Sequence, residues 1–241
     1  MKKNIFLLGI LLSIILSLTC CIKASSPYQP DQFTVDHLNH ATVSLITSNE
    51  KGDYRTYCAG VWVTKIHFVT ASHCTELNGP AQTGNLVKFT TYKHSKFNYP
   101  YKNPNKVFSA EVVSFDTESD LAVLKSLDDV HHQTASLRSS LPIRPGTALS
   151  IVGHPSGLNY TYITGIVSQV RDMEILFLDM KLKMIHVSAP VWHGNSGGGA
   201  FDKEGNLVGI SSLVRRDMPS TAFFVHRDEV VELLTDSNIP F

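Results

Sequence analysis

The chain has 241 residues, balanced by 21 Lys plus Arg against 21 Asp plus Glu, so its formal net charge is zero. A hydrophobic content of 43% with 17% charged residues supports a folded chain with a sizeable core. With the lysines scattered and no acidic tail, there is no basic field for nucleic acid, and a nucleic-acid partner is excluded at this level.

The first residues read as a targeting segment. Lys2 and Lys3 form a basic start, and Ile5 to Leu18 is an almost unbroken apolar run of signal-peptide length, short for a membrane span. The expected organisation is a signal over 1–24, a leader over 25–40 and one domain over 41–241, with its halves meeting near 130–145. Export implies a secreted protein, periplasmic or extracellular. Leu18-Thr19-Cys20-Cys21 loosely resembles a bacterial lipoprotein box. Two alternatives stand: lipidation at Cys21, which alone would bring the chain to a membrane, or plain cleavage near Ala24-Ser25. Cys58 and Cys74 remain as one pair, and in an oxidising compartment a disulfide is the default. Closing a loop of about 16 residues contributes roughly 3 kcal/mol in the chain-entropy account.

Residues 25–40 are polar and proline-bearing, with at most one short helical turn. Strands are expected over Ala41 to Ile46, Thr56 to Thr64, His67 to Ala71, Leu86 to Tyr92, Lys106 to Phe115 and Leu121 to Lys125. Lys93 to Asn105 is a surface loop and Ser126 to Pro145 is irregular. Further strands are Ala148 to Gly153, Tyr160 to Gln169, Glu174 to Leu178, Lys183 to Val187, Gly197 to Phe201, Leu207 to Leu213 and Ala222 to His226. Asp228 is the expected N-cap of a closing helix through about Thr235. Many short strands with frequent turn signals mean an all-β sandwich or barrel, without fixing the strand order.

Three segments carry the chemistry. Thr70-Ala71-Ser72-His73-Cys74 delivers His73 at a strand end beside a tethered cysteine. A general base needs to be held that firmly. Glu118-Ser119-Asp120 precedes the apolar run Leu121 to Leu124. Asp120 is chosen over Asp116 and Glu118 because the strand it abuts would desolvate it. It would accept from His73 Nδ1 and fix the tautomer. Gly194-Asn195-Ser196-Gly197-Gly198-Gly199 exposes a serine among glycines. Ser196 is the candidate nucleophile, and the N–H groups of Gly194 and Ser196 would form an oxyanion hole. Bland readings exist for each: a core histidine, a turn aspartate, a glycine-rich hairpin. Their joint occurrence favours the chemical one. His131-His132 reads as a loop pair; no metal site and no cofactor is expected.

Taken together, TASHC, ESDLAVLK and GNSGGG resemble the chymotrypsin-fold, trypsin-like serine proteases. Residues 110–125 and 142–170, including Gly153-His154-Pro155-Ser156-Gly157, are similar to the HtrA/Deg branch, and the resemblance covers roughly 40–235. It implies two six-stranded antiparallel β-barrels with a C-terminal helix, an active site between the barrels, and protein or peptide substrates. A branch-typical PDZ domain is not expected, since the chain stops at Phe241. Asn195 replaces the aspartate that in the trypsin branch pairs with a newly cut N-terminus, so activation by N-terminal insertion is not expected. Pro190 stands where a basic-specific pocket has its acidic floor. Val191, His193, Ser212, Leu213 and Val214 are the expected substrate-binding positions, and Val191 with Val214 argues for small or medium apolar P1 residues. Ser212 also resembles the family serine that supports the aspartate. Arg171 to Lys183 is the candidate for a loop that orders the oxyanion hole. The alternatives to an endopeptidase are a non-catalytic binding protein on the same fold and a structural envelope lipoprotein.

Overall fold

The computed structural model describes residues 30–77, 79–95, 103–138, 142–175, 180–214, 218 and 220–241. The expected signal segment, with Cys20 and Cys21, lies outside the described residues. Among the described residues no helix is long and apolar enough to cross a membrane.

Two closed barrels make up the fold. The first is built from β1 (Thr42–Ser48), β2 (Tyr54–Trp62), β3 (His67–Thr70), β4 (Leu86–Thr91), β5 (Phe108–Asp116) and β6 (Leu121–Ser126). They are hydrogen-bonded in the order β1-β2-β3-β6-β5-β4, closed by the antiparallel β1–β4 pair. The second uses β7 (Ala148–Gly153), β8 (Thr161–Ile175), β9 (Met180–Ser188), β10 (Gly199–Phe201), β11 (Leu207–Val214) and β12 (Thr221–His226). Its order is β10-β11-β12-β9-β8-β7, closed by the antiparallel β7–β10 pair. Closure leaves no unpaired edge along these strands.

Alternating side chains fill each barrel. The first holds an aromatic cluster in which Trp62 meets Phe68 edge-on at 5.0 Å and Phe89 stacks on Phe108 at 5.4 Å. The second is chiefly aliphatic, with Leu149, Ile151, Ile185, Val187 and Val208 around Phe224. A further apolar cluster takes residues from both barrels, Val61, Val69 and Val123 meeting Val152, Phe201 and Ile210. Burying such surface stabilises at roughly 25 cal/mol per Å2, so the joint between barrels is itself a core.

Local signals explain where the structure departs from expectation. The leader holds a full helix, α1 (Gln32–Ala41), of 10 residues, rather than one short turn. Asp31 caps it, accepting from Thr34 N–H at 2.7 Å, and Leu38 is completely buried in the inter-barrel cluster. Polar neighbours mask that single anchor in the sequence. β8 runs unbroken for 15 residues, where two strands were expected. Its partner β9 stays in register from Ile166↔Ser188 to Ile175↔Met180, with a bulge between Val167 and Gln169. Arg171 and Asp172 are exposed on this ribbon, and an antiparallel pair tolerates polar residues facing water. The closing helix α2 (Arg227–Asp236) is capped by His226, whose Nδ1 accepts from Asp228 N–H at 3.1 Å, and not by Asp228. Asp228 sits instead in the first turn and takes Lys183 Nζ at 2.6 Å. Val230 and Leu234 bury α2 against the inter-barrel cluster, and Ser237 Oγ donates to Ser114 Oγ at 2.6 Å, fastening the helix to the first barrel.

Candidate active site

β3 passes straight into a 3-10 turn, Ser72–Thr75, which carries His73. The disulfide Cys58–Cys74 joins that turn to β2, with Cα atoms 6.1 Å apart. Asp120 closes the turn between β5 and β6. Asp116 shapes that turn rather than the site: its carboxylate accepts from Glu118 N–H at 2.9 Å and Ser119 N–H at 3.2 Å. Asp120 itself is left-handed, with φ 54°, a conformation that costs about 1 kcal/mol or more in a non-glycine residue. Its surroundings hold it there. Ser72 N–H donates to the Asp120 carbonyl at 3.1 Å, and the carboxylate accepts from Ser72 Oγ at 3.0 Å and His73 N–H at 3.1 Å.

The same carboxylate accepts from His73 Nδ1 at 2.9 Å through Oδ2 and 3.0 Å through Oδ1. Ser212 Oγ, from β11 of the other barrel, donates to Oδ2 at 2.5 Å. An ionised carboxylate can only accept, so the neutral imidazole carries its proton on Nδ1 and leaves Nε2 as a base. Burial pushes the Asp120 carboxyl up, but its hydrogen bonds and the His73 charge together hold it below the usual aspartate value. His73 is raised, chiefly by its hydrogen bond to Asp120, against partial desolvation. The His73 side chain is 43% exposed, so a ligand can reach it.

Ser196 follows a tight turn. Asn195 N–H and Nδ2 both donate to the Trp192 carbonyl at 3.0 Å, and Gly194 has φ 98°. This is the positive φ that a type II turn requires at its third residue. A Cβ on Gly194 would lie 2.2 Å from the His154 carbonyl oxygen, so no side chain fits. Among the described residues the Gly194 and Ser196 N–H groups donate to no protein acceptor, whereas the Asn195 N–H between them is used. The Ser196 carbonyl accepts from Ala59 N–H at 2.8 Å, next to the disulfide; Gly197 N–H donates to the Ser211 carbonyl at 2.7 Å, next to Ser212. Gly197 lies so close to β3 that a Cβ would meet Thr70 Oγ1 at 2.1 Å. These ties hold the Ser196–Gly197 segment to Ala59, next to the disulfide that fixes the His73 turn, and to Ser211, next to the Ser212 that bonds Asp120. No hydrogen bond joins Ser196 Oγ to His73 among the described residues, and such bonds are often loose before substrate binds.

The remaining expected positions divide. Val191 is 7% exposed and packs with the second barrel's core, with Val214 partly buried against it. His193 and Leu213 are exposed, as is Trp192, whose ring meets His193 edge-on at 5.4 Å. Cys58, His73 and Cys74 bring their N and S atoms within 4.8 Å of one another. The two sulfurs are bonded to each other and offer no thiolate to a metal. Of the loop from Arg171 to Lys183, 171–175 and 180–183 are strand, and 176–179 lie outside the described residues. The sequence reading missed Ser72 as a support for Asp120; its place inside TASHC, one residue before the histidine, was the available signal.

Residues 58–210 match the family of the trypsin-like peptidase domain. The chain belongs to that family. A probable periplasmic DegP-like serine endoprotease of Halomonas elongata is 32% identical over 112 residues, covering 46% of this chain and 23% of the relative. The human serine protease HTRA3 is 29% identical over 131 residues, 54% of this chain and 28% of its own. The chain thus spans less than a third of the length of the curated relatives it matches. The solved structure of the HtrA-type protease AlgW with a tripeptide has a similar fold, with a TM-score of 0.66 at 24% identity over 86% of this chain and 62% of that one. The expected chymotrypsin-like pair of barrels and the HtrA/Deg likeness are therefore both present.

Proposed function

We propose that the protein is a serine endopeptidase, with Ser196 as nucleophile, His73 as general base and Asp120 as its orienting carboxylate. The observation that carries this is the carboxylate of Asp120, which takes His73 Nδ1 at 2.9 Å while being held by Ser212 from the strand that also anchors Gly197. Ser196 Oγ attacks the scissile carbonyl as its proton passes to His73 Nε2. The imidazolium is stabilised by Asp120, and the negative oxygen sits against the N–H groups of Gly194 and Ser196. His73 then gives its proton to the leaving amine, and water repeats the cycle on the acyl-enzyme. Each oxyanion donor supplies about 3–4 kcal/mol in the transition state.

The substrates are proteins or peptides with small or medium apolar P1 residues, since Pro190 offers a basic side chain no partner and an unpaired buried charge is costly. Export follows from the signal segment, and periplasmic names among the relatives support it. Anchoring rests on Cys21 and is read by radiolabelled lipid. A fluorophosphonate probe tests the central reading: labelling that disappears in Ser196→Ala supports hydrolysis, and an unlabelled wild-type chain leaves the binding-protein alternative. Cleavage of a peptide library mainly after Arg or Lys would sink the P1 assignment.

A further inference from the structure

His154 is completely buried where β7 ends, and the chemistry above does not use it. Its ring reaches across the joint between the barrels. Nε2 donates to the Val43 carbonyl of β1 at 3.0 Å, and Nδ1 accepts from Tyr160 N–H at 2.9 Å. A carbonyl can only accept and an amide N–H can only donate. The two partners therefore fix the neutral ring with its proton on Nε2. The Tyr160 ring stands edge-on to it at 4.7 Å, and Tyr160 Oη donates to the Thr90 carbonyl of β4 at 3.2 Å, a second tie to the first barrel. Tyr160 is the titratable side chain that faces the imidazole, with Tyr92 behind it at 5.2 Å. No carboxylate, ammonium or guanidinium among the described residues bonds to the ring.

The main chain of the same segment meets the turn before Ser196. His154 N–H donates to the Gly194 carbonyl at 3.3 Å, and Ser156 N–H donates to the His193 carbonyl at 2.8 Å. Those two carbonyls belong to the peptides flanking Gly194. Rotating the His193–Gly194 peptide, the movement that would turn the Gly194 N–H away, breaks the bond from Ser156, and the turn has little room to move, since a Cβ on Gly194 would lie 2.2 Å from the His154 carbonyl oxygen.

We propose that His154 is a positioning residue of the active site: its imidazole clamps residues 153–157 to β1, and the main chain of that segment holds the 192–195 turn with the Gly194 and Ser196 N–H groups free. The consequence for rate rests on the serine-endopeptidase reading; the clamp itself does not.

The test compares His154→Gln, His154→Asn and His154→Ala in the full chain. A glutamine places an N–H donor near the position of Nε2 and can still reach Val43; an asparagine supplies only an acceptor near Nδ1. His154→Ala and His154→Asn are expected to lower kcat about 10–100-fold, within the range of one weakened oxyanion donor, with KM changed by less than about threefold. His154→Gln is expected to keep most of the activity. Hydrogen exchange, read by mass spectrometry on peptides spanning 190–199, should accelerate in the alanine and asparagine variants, while β11 and β12 keep their protection. Unchanged exchange at 190–199 in the alanine variant overturns the clamp, as does a loss of kcat that only follows the unfolded fraction, or rescue by asparagine and not by glutamine. If wild type takes no fluorophosphonate but exchange responds as expected, the proteolytic reading fails and the clamp stands.

Discussion

Asp120→Asn keeps the size of the side chain and removes its charge. The carboxylate accepts from His73 Nδ1 at 2.9 Å, His73 N–H at 3.1 Å, Ser72 Oγ at 3.0 Å and Ser212 Oγ at 2.5 Å. An amide offers one accepting oxygen and one donating nitrogen. The main-chain N–H of His73 cannot change roles, so the amide oxygen takes the Oδ1 position and the NH2 faces Nδ1. The hydroxyl of Ser212 can rotate to accept. The imidazole adapts by moving its proton to Nε2, which removes the base from the side facing Ser196. The expected loss is about 10^4 in kcat at neutral pH, equivalent to about 5 kcal/mol of barrier, with little change in KM. Steady-state kinetics on the best library peptide gives kcat and KM, and circular dichroism during heating checks folding. A folded asparagine variant within tenfold of wild type at pH 7 would refute the reasoning.

Activity should rise with pH as His73 loses its proton, with a midpoint above 6.5, since Asp120 raises the imidazole; a midpoint below 6.5 in the kcat/KM profile contradicts this. His154 is lowered to about 4 by its burial. A depressed histidine stabilises fully above its unfolded value of 6.5, and that share, about 3 kcal/mol, is lost as pH falls toward 4; denaturant unfolding of wild type and His154→Gln across that range should show a shallower slope in the variant, the remainder coming from groups such as His226, which burial also lowers to about 4. Replacing Cys58 and Cys74 by alanine should lower stability by roughly 3 kcal/mol, read from the shift in urea midpoint. Gly194→Ala should abolish turnover and lower the melting temperature, because its Cβ would sit 2.2 Å from the His154 oxygen at φ 98°; an alanine variant with wild-type kcat would exclude Gly194 from the hole.

The candidate site was legible because each part lies in a short stretch with its own grammar: a histidine beside a cysteine, an aspartate before an apolar strand, a serine among glycines. β7 was legible to the residue, since Ala148–Gly153 is a compact apolar run. Closure into two barrels came from resemblance; alternation gives strands and leaves their neighbours open. What the sequence hid depends on partners distant along the chain. Ser72 acts on Asp120, His154 on Val43, and α1 exists as a packed helix because Leu38 finds the inter-barrel core. The His226 cap was hidden for a different reason, since an imidazole is a rare acceptor at that place and Asp228 has the commoner chemistry.

The division of labour between the two cylinders also governs timing. A ribosome delivers residues 73 and 120 first, and 196 and 212 only later. A chain that has emerged as far as β6 owns His73, Asp120 and the Ser72 hydroxyl on that carboxylate, but neither Ser196 nor Ser212. Only when the second cylinder has folded does the Ala59 N–H find the Ser196 carbonyl, at 2.8 Å. On the proposed reading, a half-made copy cannot yet cut its neighbours in the cell that makes it.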